Sequence, residues 1–423
     1  MKYFSIIVVA FLCSFYSKAQ QADVIYKSNI HSVKLFQQNN QLSLPIINLQ
    51  STDLLELHFD DVDGVVKNYF YTFQLCNANW QPADVSSFDY IKGYQQLRLN
   101  QYRLSAIALT KYVHYQANLP DRNCMPTKSG NYLLKVFLNG DTAQLAFTKR
   151  VFVVNNLVNI GARVMQPFDN QYRNTAQRIQ MNIDVKQLNA QIPQQQVKVV
   201  IAKNNQLNDV VTLTQPTFIR GNILEYNNEN EAVFLAGKEY RWIDVRSFRY
   251  ESERINKVDR SQQPWQIWVQ ADGSRLNERY VLYRDLNGWM EIANTESVNP
   301  WWQSDYALVH FTFVPTNNQP FAGKDLFIAG ELTGNQFTKN NAMEYNSTKG
   351  VYEKTLLLKQ GFYSYNYVTK EVSNSSAQPI STWVDGNYWE TENDYVIFVY
   401  YRSFSGRHDE LVGISTINSR LGR

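Results

Sequence analysis

Short stretches in which apolar and polar residues alternate run along almost the whole chain. Between Ile179 and Val185, positions 179, 181, 183 and 185 are Ile, Met, Ile and Val, with Gln, Asn and Asp between them. From Tyr306 to Pro315 the same two-residue period places Ala307, Val309, Phe311 and Phe313 on one face. Successive side chains of a strand point to opposite faces, so this period predicts half-buried strands. Tyr69–Leu75, Tyr112–Tyr115, Tyr132–Leu138 and Ala146–Val154 read as strands by their β-branched and aromatic content. Asn139-Gly140 between the last two is a hairpin signal. Val33–Phe36, Leu54–Phe59, Gln196–Ala202, Trp265–Gln270 and Arg279–Arg284 extend the series. Near the C-terminus, Tyr395–Tyr401 is an unbroken apolar and aromatic run. No segment of useful length after the first residues has a 3.6-residue period, so the fold class is all-β.

The strands fall into three groups, predicting tandem immunoglobulin-like or early-set β-sandwiches at 20–154, 155–298 and 299–423. In the third group Lys359-Gln360-Gly361 leads into Phe362-Tyr363-Ser364-Tyr365-Asn366-Tyr367. That order resembles the glycogen-binding type of early-set domain, which implies a sandwich but not sugar binding. Lys2, the apolar run Phe4–Phe15 and Ser17-Lys18-Ala19 form a signal peptide over 1–19. The mature chain is therefore expected to be exported.

Composition narrows the function. Tyr, Phe and Trp number 27, 23 and 9, enough aromatic surface to stabilise β domains without staples. Without Lys2 and Lys18, 39 basic residues face 38 acidic ones, with no basic block. A nucleic-acid partner is not indicated, and no further run is long enough to span a bilayer as a helix. The mature chain has two cysteines, Cys76 and Cys124, which allow one disulfide. The histidines are His31, His58, His114, His310 and His408, and none is spaced from another as a metal pair. Asp60-Asp61-Val62-Asp63-Gly64 lacks the later ligands of a calcium loop. No nucleophile elbow, phosphate loop or metalloprotease motif is present. No catalytic residue, metal or cofactor is expected, and the chain reads as a non-enzyme.

Several separated blocks point to one family. They are Leu57-His58-Phe59-Asp60-Asp61, Tyr69 through Trp80, Ser129-Gly130-Asn131-Tyr132, Phe234 through Arg241, Gly386 through Asn393, and Arg407 through Gly413. Together, in this order, they resemble the plug proteins of the type IX secretion system of Bacteroidetes. The resemblance implies a periplasmic protein peripheral to the outer membrane, without membrane insertion. Its partner would be the outer-membrane translocon barrel, whose inner mouth it closes when no cargo is engaged. Trp383, Tyr388 and Trp389 are candidate anchors for that contact, with Arg402, Arg407, Asp409 and Glu410 as a charged rim, because anchors are enriched in Trp, Tyr and Arg. The alternative is an exported glycan-binding protein that stacks sugars on the same aromatic residues.

Overall fold

The computed structural model describes residues 22–374, 378–381 and 383–420; the expected leader lies outside the described residues. The first unit has seven principal strands. These are β1 (Ile30–Gln37), β2 (Leu55–Asp61), β3 (Tyr69–Cys76), β4 (Gln101–Leu104), β5 (Val113–Leu119), β6 (Gly130–Leu138) and β7 (Leu145–Val154). One sheet has the order β1-β2-β5-β4, and the other is built on β7-β6-β3. Along β3 the Tyr69, Tyr71, Phe73 and Leu75 side chains are buried while those between are partly exposed. The inward set meets Phe59 and Tyr115 from the facing sheet, whose rings stack with centroids 5.0 Å apart. The Asn139-Gly140 turn forms as expected, with both residues at positive φ. The loop is longer than two residues, since Phe137 pairs with Leu145 across a register shift.

The remaining strands do not group in chain order. β8 (Ala176–Asp184) and β9 (Val197–Lys203) belong to the middle unit. The third unit holds β10 (Arg241–Asp244), β11 (Tyr306–Val314), β12 (Lys324–Ala329), β13 (Val351–Lys359) and β14 (Gly361–Glu371). The chain then returns, and β15 (Asp394–Tyr401) pairs antiparallel with β9, with Val399 opposite Val199 and Ile397 opposite Ile201. β16 (Glu410–Asn418) pairs with β15 at the sheet edge. Conversely β10 pairs with β14, and Trp265–Val269 pairs with β11. The boundary expected at 298/299 therefore does not describe the packing. The third unit occupies about 241–385, inserted between the middle unit's strands and its closing hairpin.

The cores follow this grouping. Ile179, Met181, Ile183 and Val185 pack with Tyr395, Ile397 and Val399. Val309, Phe311 and Phe313 pack with Tyr363, Tyr365 and Tyr367 on β14. At Gly361 the backbone passes so close to the Glu291 carbonyl that an added Cβ would overlap it. The segment 279–284, expected as a strand, has no ladder partner. Its tyrosines instead bond across the unit boundary: Tyr280 donates to the Glu239 carboxylate and Tyr283 to the Glu239 carbonyl.

Candidate partner interface

Behind any docking surface lie the junctions that hold the three units together. Between the first and third units, Asp60 at the end of β2 is fully buried. Its carboxylate accepts from Lys359 Nζ (2.5 Å), Tyr306 Oη (2.5 Å) and His114 Nδ1 (2.7 Å). Burial opposes its charge, but Lys359 and His114 outweigh that and hold the carboxyl below its ordinary range. His114 Nε2 lies 3.0 Å from His58 Nδ1, and the His58 ring stacks on Trp301 with centroids 3.8 Å apart. Burial, then the charge of His114, push His58 down to about 2, so it is neutral at ordinary pH. A second pair lies close by: Lys34 Nζ reaches Glu331 Oε2 at 2.7 Å and also donates to the Met290 and Gln41 carbonyls. Sequence spacing does not link these histidines, because they meet only through the β2–β5 pairing.

The rim and anchor residues do not form one patch. Arg402, Arg407, Asp409 and Glu410 surround the β15–β16 turn, whereas Trp383, Tyr388 and Trp389 lie before β15 begins. Eight residues of β15 separate the two groups, about 25 Å of strand. Asp409 is 6% exposed, accepts from the Ala78 amide at 3.0 Å, and pairs with Arg402 at 2.8 Å. It therefore ties the middle unit to the first rather than lining a rim. Arg407 is exposed and Glu410 partly so. Trp389 packs on the middle core. Tyr388 stacks on Tyr280 at 4.4 Å, and Trp383 is half-exposed beneath Lys324 Nζ at 3.8 Å.

Cys76 and Cys124 are free thiols, which corrects the possible disulfide. Cys124 belongs to the core between the first unit's sheets, while Cys76 packs with Ala22 and Leu133 in a separate cluster. Burial pushes the thiols up to about 11 and about 12 respectively for Cys76 and Cys124, so both are inert.

One surface escaped the sequence reading. Strand β4 is an edge strand with all four residues exposed, and the tip after it carries Ile107 (79% exposed) and Leu109. Tyr102, Leu104, Ile107 and Leu109 make four exposed apolar side chains in eight residues. Asp305 of the third unit fixes this tip by accepting from the Leu109 and Thr110 amides at 2.8 and 3.0 Å. Ile107 sits at φ +71°, a costly conformation for a β-branched residue. The unbroken apolar spelling Ile107-Ala108-Leu109 was the available signal, but it reads equally well as a buried strand.

Residues 30–155 match the family model described as the first domain of the type 9 secretion system plug protein. A solved structure, that of a hypothetical protein from Parabacteroides merdae, is similar to this chain over 94% of its length and over all of the other chain. The identity is 28% and the TM-score 0.90. No curated protein matches.

Proposed function

We propose that this chain, which carries the first domain of the type 9 secretion plug family over residues 30–155, closes the periplasmic mouth of the outer-membrane translocon barrel. The family match carries this reading. A role in type IX secretion follows from it directly, and plugging is the physical task for which the molecule is suited. A plug must withstand load without bending between its parts. The buried Asp60–Lys359 and Lys34–Glu331 pairs span the first and third units and suit that demand. No helix among the described residues is long and apolar enough to cross a membrane; in this reading the partner barrel is what holds the chain at the outer membrane.

The exposed apolar tip at Leu104, Ile107 and Leu109 lies inside the matched domain, and we place the docking contact there ahead of Trp383 and Tyr388. An exposed cluster of this kind marks an interaction site more often than scattered single residues do. The test is co-purification from detergent-solubilised outer membranes, with cargo secretion active and then blocked. The barrel is expected to co-purify and to be lost as cargo engages. Replacing Ile107 and Leu109 together by Asp is expected to abolish co-purification while the circular dichroism spectrum stays unchanged. Loss of binding from Trp383→Ala with Tyr388→Ala, and not from the tip variant, would move the contact to the first-predicted anchors. Absence of the barrel under every condition would end the plug reading.

A further inference from the structure

The seam between the middle and third units is polar but closed. There Glu239, Asp285, Glu392 and Asp394 accept hydrogen bonds from the Tyr280 hydroxyl, the Asn287 backbone amide and the side-chain amides of Asn287 and Asn418. The β4 edge of the first unit is open. Tyr102 and Leu104 lie opposite Tyr115 and Val113 of β5, which are fully buried between the sheets. Directly opposed residues of an antiparallel pair share a face, so Tyr102 and Leu104 point to the core side of their sheet. They are nevertheless 44% and 61% exposed, because β4 is the last strand and none lies beyond it. The β2–β3 loop reaches the same place. The Lys67 amide donates to Tyr115 Oη at 2.7 Å, the Tyr102 and Tyr115 ring centroids are 5.9 Å apart, and Val65 and Val66, next along the loop, are exposed.

The backbone of this edge is as free as its side chains. The Ser105 amide donates to the Tyr112 carbonyl at 2.9 Å. Alternate residues of an antiparallel strand turn their backbone groups the same way, so Gln101, Arg103 and Ser105 bond toward β5, while Tyr102, Leu104 and Ala106 face outward. The Ala106 amide is taken by the Trp302 carbonyl of the third unit at 2.8 Å. Among the described residues the outward groups of Tyr102 and Leu104 have no protein partner. The usual defences of an edge strand are weak here. β4 has no proline, its register with β5 is unbroken, and its one charged residue, Arg103, lies 5.9 Å from the Trp302 ring centroid. Arg98, Arg103 and Lys111 are all exposed, and among the described residues none has a carboxylate within ion-pair distance.

Taking the barrel as the partner, as the plug reading does, we infer that the open edge of β4 takes an extended segment of that partner as a fifth strand of its sheet. Unpaired amides and carbonyls in strand geometry are matched best by another extended backbone, which favours such a segment over a helix. Apolar side chains on alternate residues of the segment would extend the core over Tyr102 and Leu104. Acidic side chains between them would face Arg103, and the uncompensated charge of Arg98 and Lys111 favours the same sign. Trp302 sets one end of the segment: it already holds Ala106, so the added ladder stops at Leu104.

The test compares the full-length mature protein recovered with the barrel from detergent-solubilised outer membranes with the same protein alone. Exchange of the Tyr102 and Leu104 amide hydrogens is expected to slow about a hundredfold in the complex, which contact through side chains alone would not produce. Leu104→Pro removes one outward amide and spares the bonds to β5, since proline is tolerated at an edge position whose N–H faces solvent. It is expected to lower barrel recovery roughly tenfold, with the circular dichroism spectrum unchanged. Leu104→Ala, which keeps the amide, is expected to lower recovery by less. Full recovery of the barrel with Leu104→Pro, or the two amides exchanging in the complex as they do in the free protein, would overturn the inference and leave the plug reading standing. Absence of the barrel under every condition would end both. Protection of these amides that appears in the protein alone as its concentration rises would give the edge to a second copy of this chain, and that too would overturn the inference.

Discussion

The junction at Asp60 and the seam at Glu392 are both polar and largely buried, and both join units far apart in sequence, yet their charges are arranged in opposite ways. At the first, Asp60 is matched by Lys359, and Lys34 by Glu331, with tyrosine hydroxyls and carbonyls completing the hydrogen bonds. At the second, four carboxylates share amides and hydroxyls, with no paired cation among the described residues. A matched pair locks the units together once both partners are present, and it is costly to break singly. A cluster held by amides and hydroxyls alone makes a joint without that charge lock. One molecule thus carries a charge-matched joint and an uncompensated acidic one.

The largest test of this contrast is to break the matched pair. Lys359→Met leaves Asp60 buried without its cation and is expected to destabilise the protein by about 3–5 kcal/mol in urea unfolding. Adding Asp60→Asn is expected to restore most of that loss, because two neutral side chains can pack where one unpaired charge cannot. If the single variant unfolds at the wild-type midpoint, the junction does not carry the charge economy described here.

The next effect is the acid response of the same junction. His58 has its folded-state pKa depressed from 6.5 to about 2. The unfolded chain therefore binds one more proton than the folded one between those values, and stability falls as the pH drops below about 6.5. The slope is about 1.4 kcal/mol per pH unit for this residue. His114, Asp60 and Lys359 face the ring from the neighbouring elements, and Glu56 lies 3.5 Å from its Nε2. His114 is depressed too, chiefly by burial, and adds to the slope in the same direction. Asp60, also depressed, contributes stability that is lost only as pH falls below about 3.8. His58→Phe is expected to flatten the decline between pH 6.5 and 5, read by urea midpoints across that range; an unchanged slope would place the acid response elsewhere.

How much of this was legible depended on whether the signal was local. The faces of Ile179–Val185 and Tyr306–Val314 were readable because one side of each strand is buried and the other is not, and that difference is written in the two-residue period. β15 was readable as a strand but not in its membership. Its Tyr395, Ile397 and Val399 face the middle core, while Val396, Phe398 and Tyr400 face the first unit. With both faces buried the period vanishes, and nothing local names β9 as the partner. Asp60 was readable only as part of a turn, since the lysine that makes it a junction lies 299 residues away. The candidate anchors suffered the same limit. Trp389 and Asp409 have the composition of an interface, and the interface they serve lies largely inside the molecule.

A third effect has the opposite sign and sharpens the comparison further. Glu392→Gln removes one carboxylate from a cluster of four and is expected to raise stability by about 0.5–1 kcal/mol. Urea midpoints of the variant and the wild-type protein check this. Destabilisation would mean that the hydrogen bonds Glu392 accepts from Asn287 and Asn418 outweigh the repulsion.

The smallest effect belongs to charge at the surface. Lys324 Nζ sits 3.8 Å over the Trp383 ring, but the ring is half-exposed and water screens the attraction. Lys324→Ala is expected to shift the unfolding free energy by no more than about 0.5 kcal/mol. The same buried-versus-exposed contrast explains why a lysine can be worth several kcal/mol at position 359 and almost nothing at 324. A loss above about 1 kcal/mol on Lys324→Ala would mean that Trp383 is held in place by the fold, which would remove it from the candidates for docking. A null result leaves its ring free to meet a partner, at a cost to the fold too small to oppose binding.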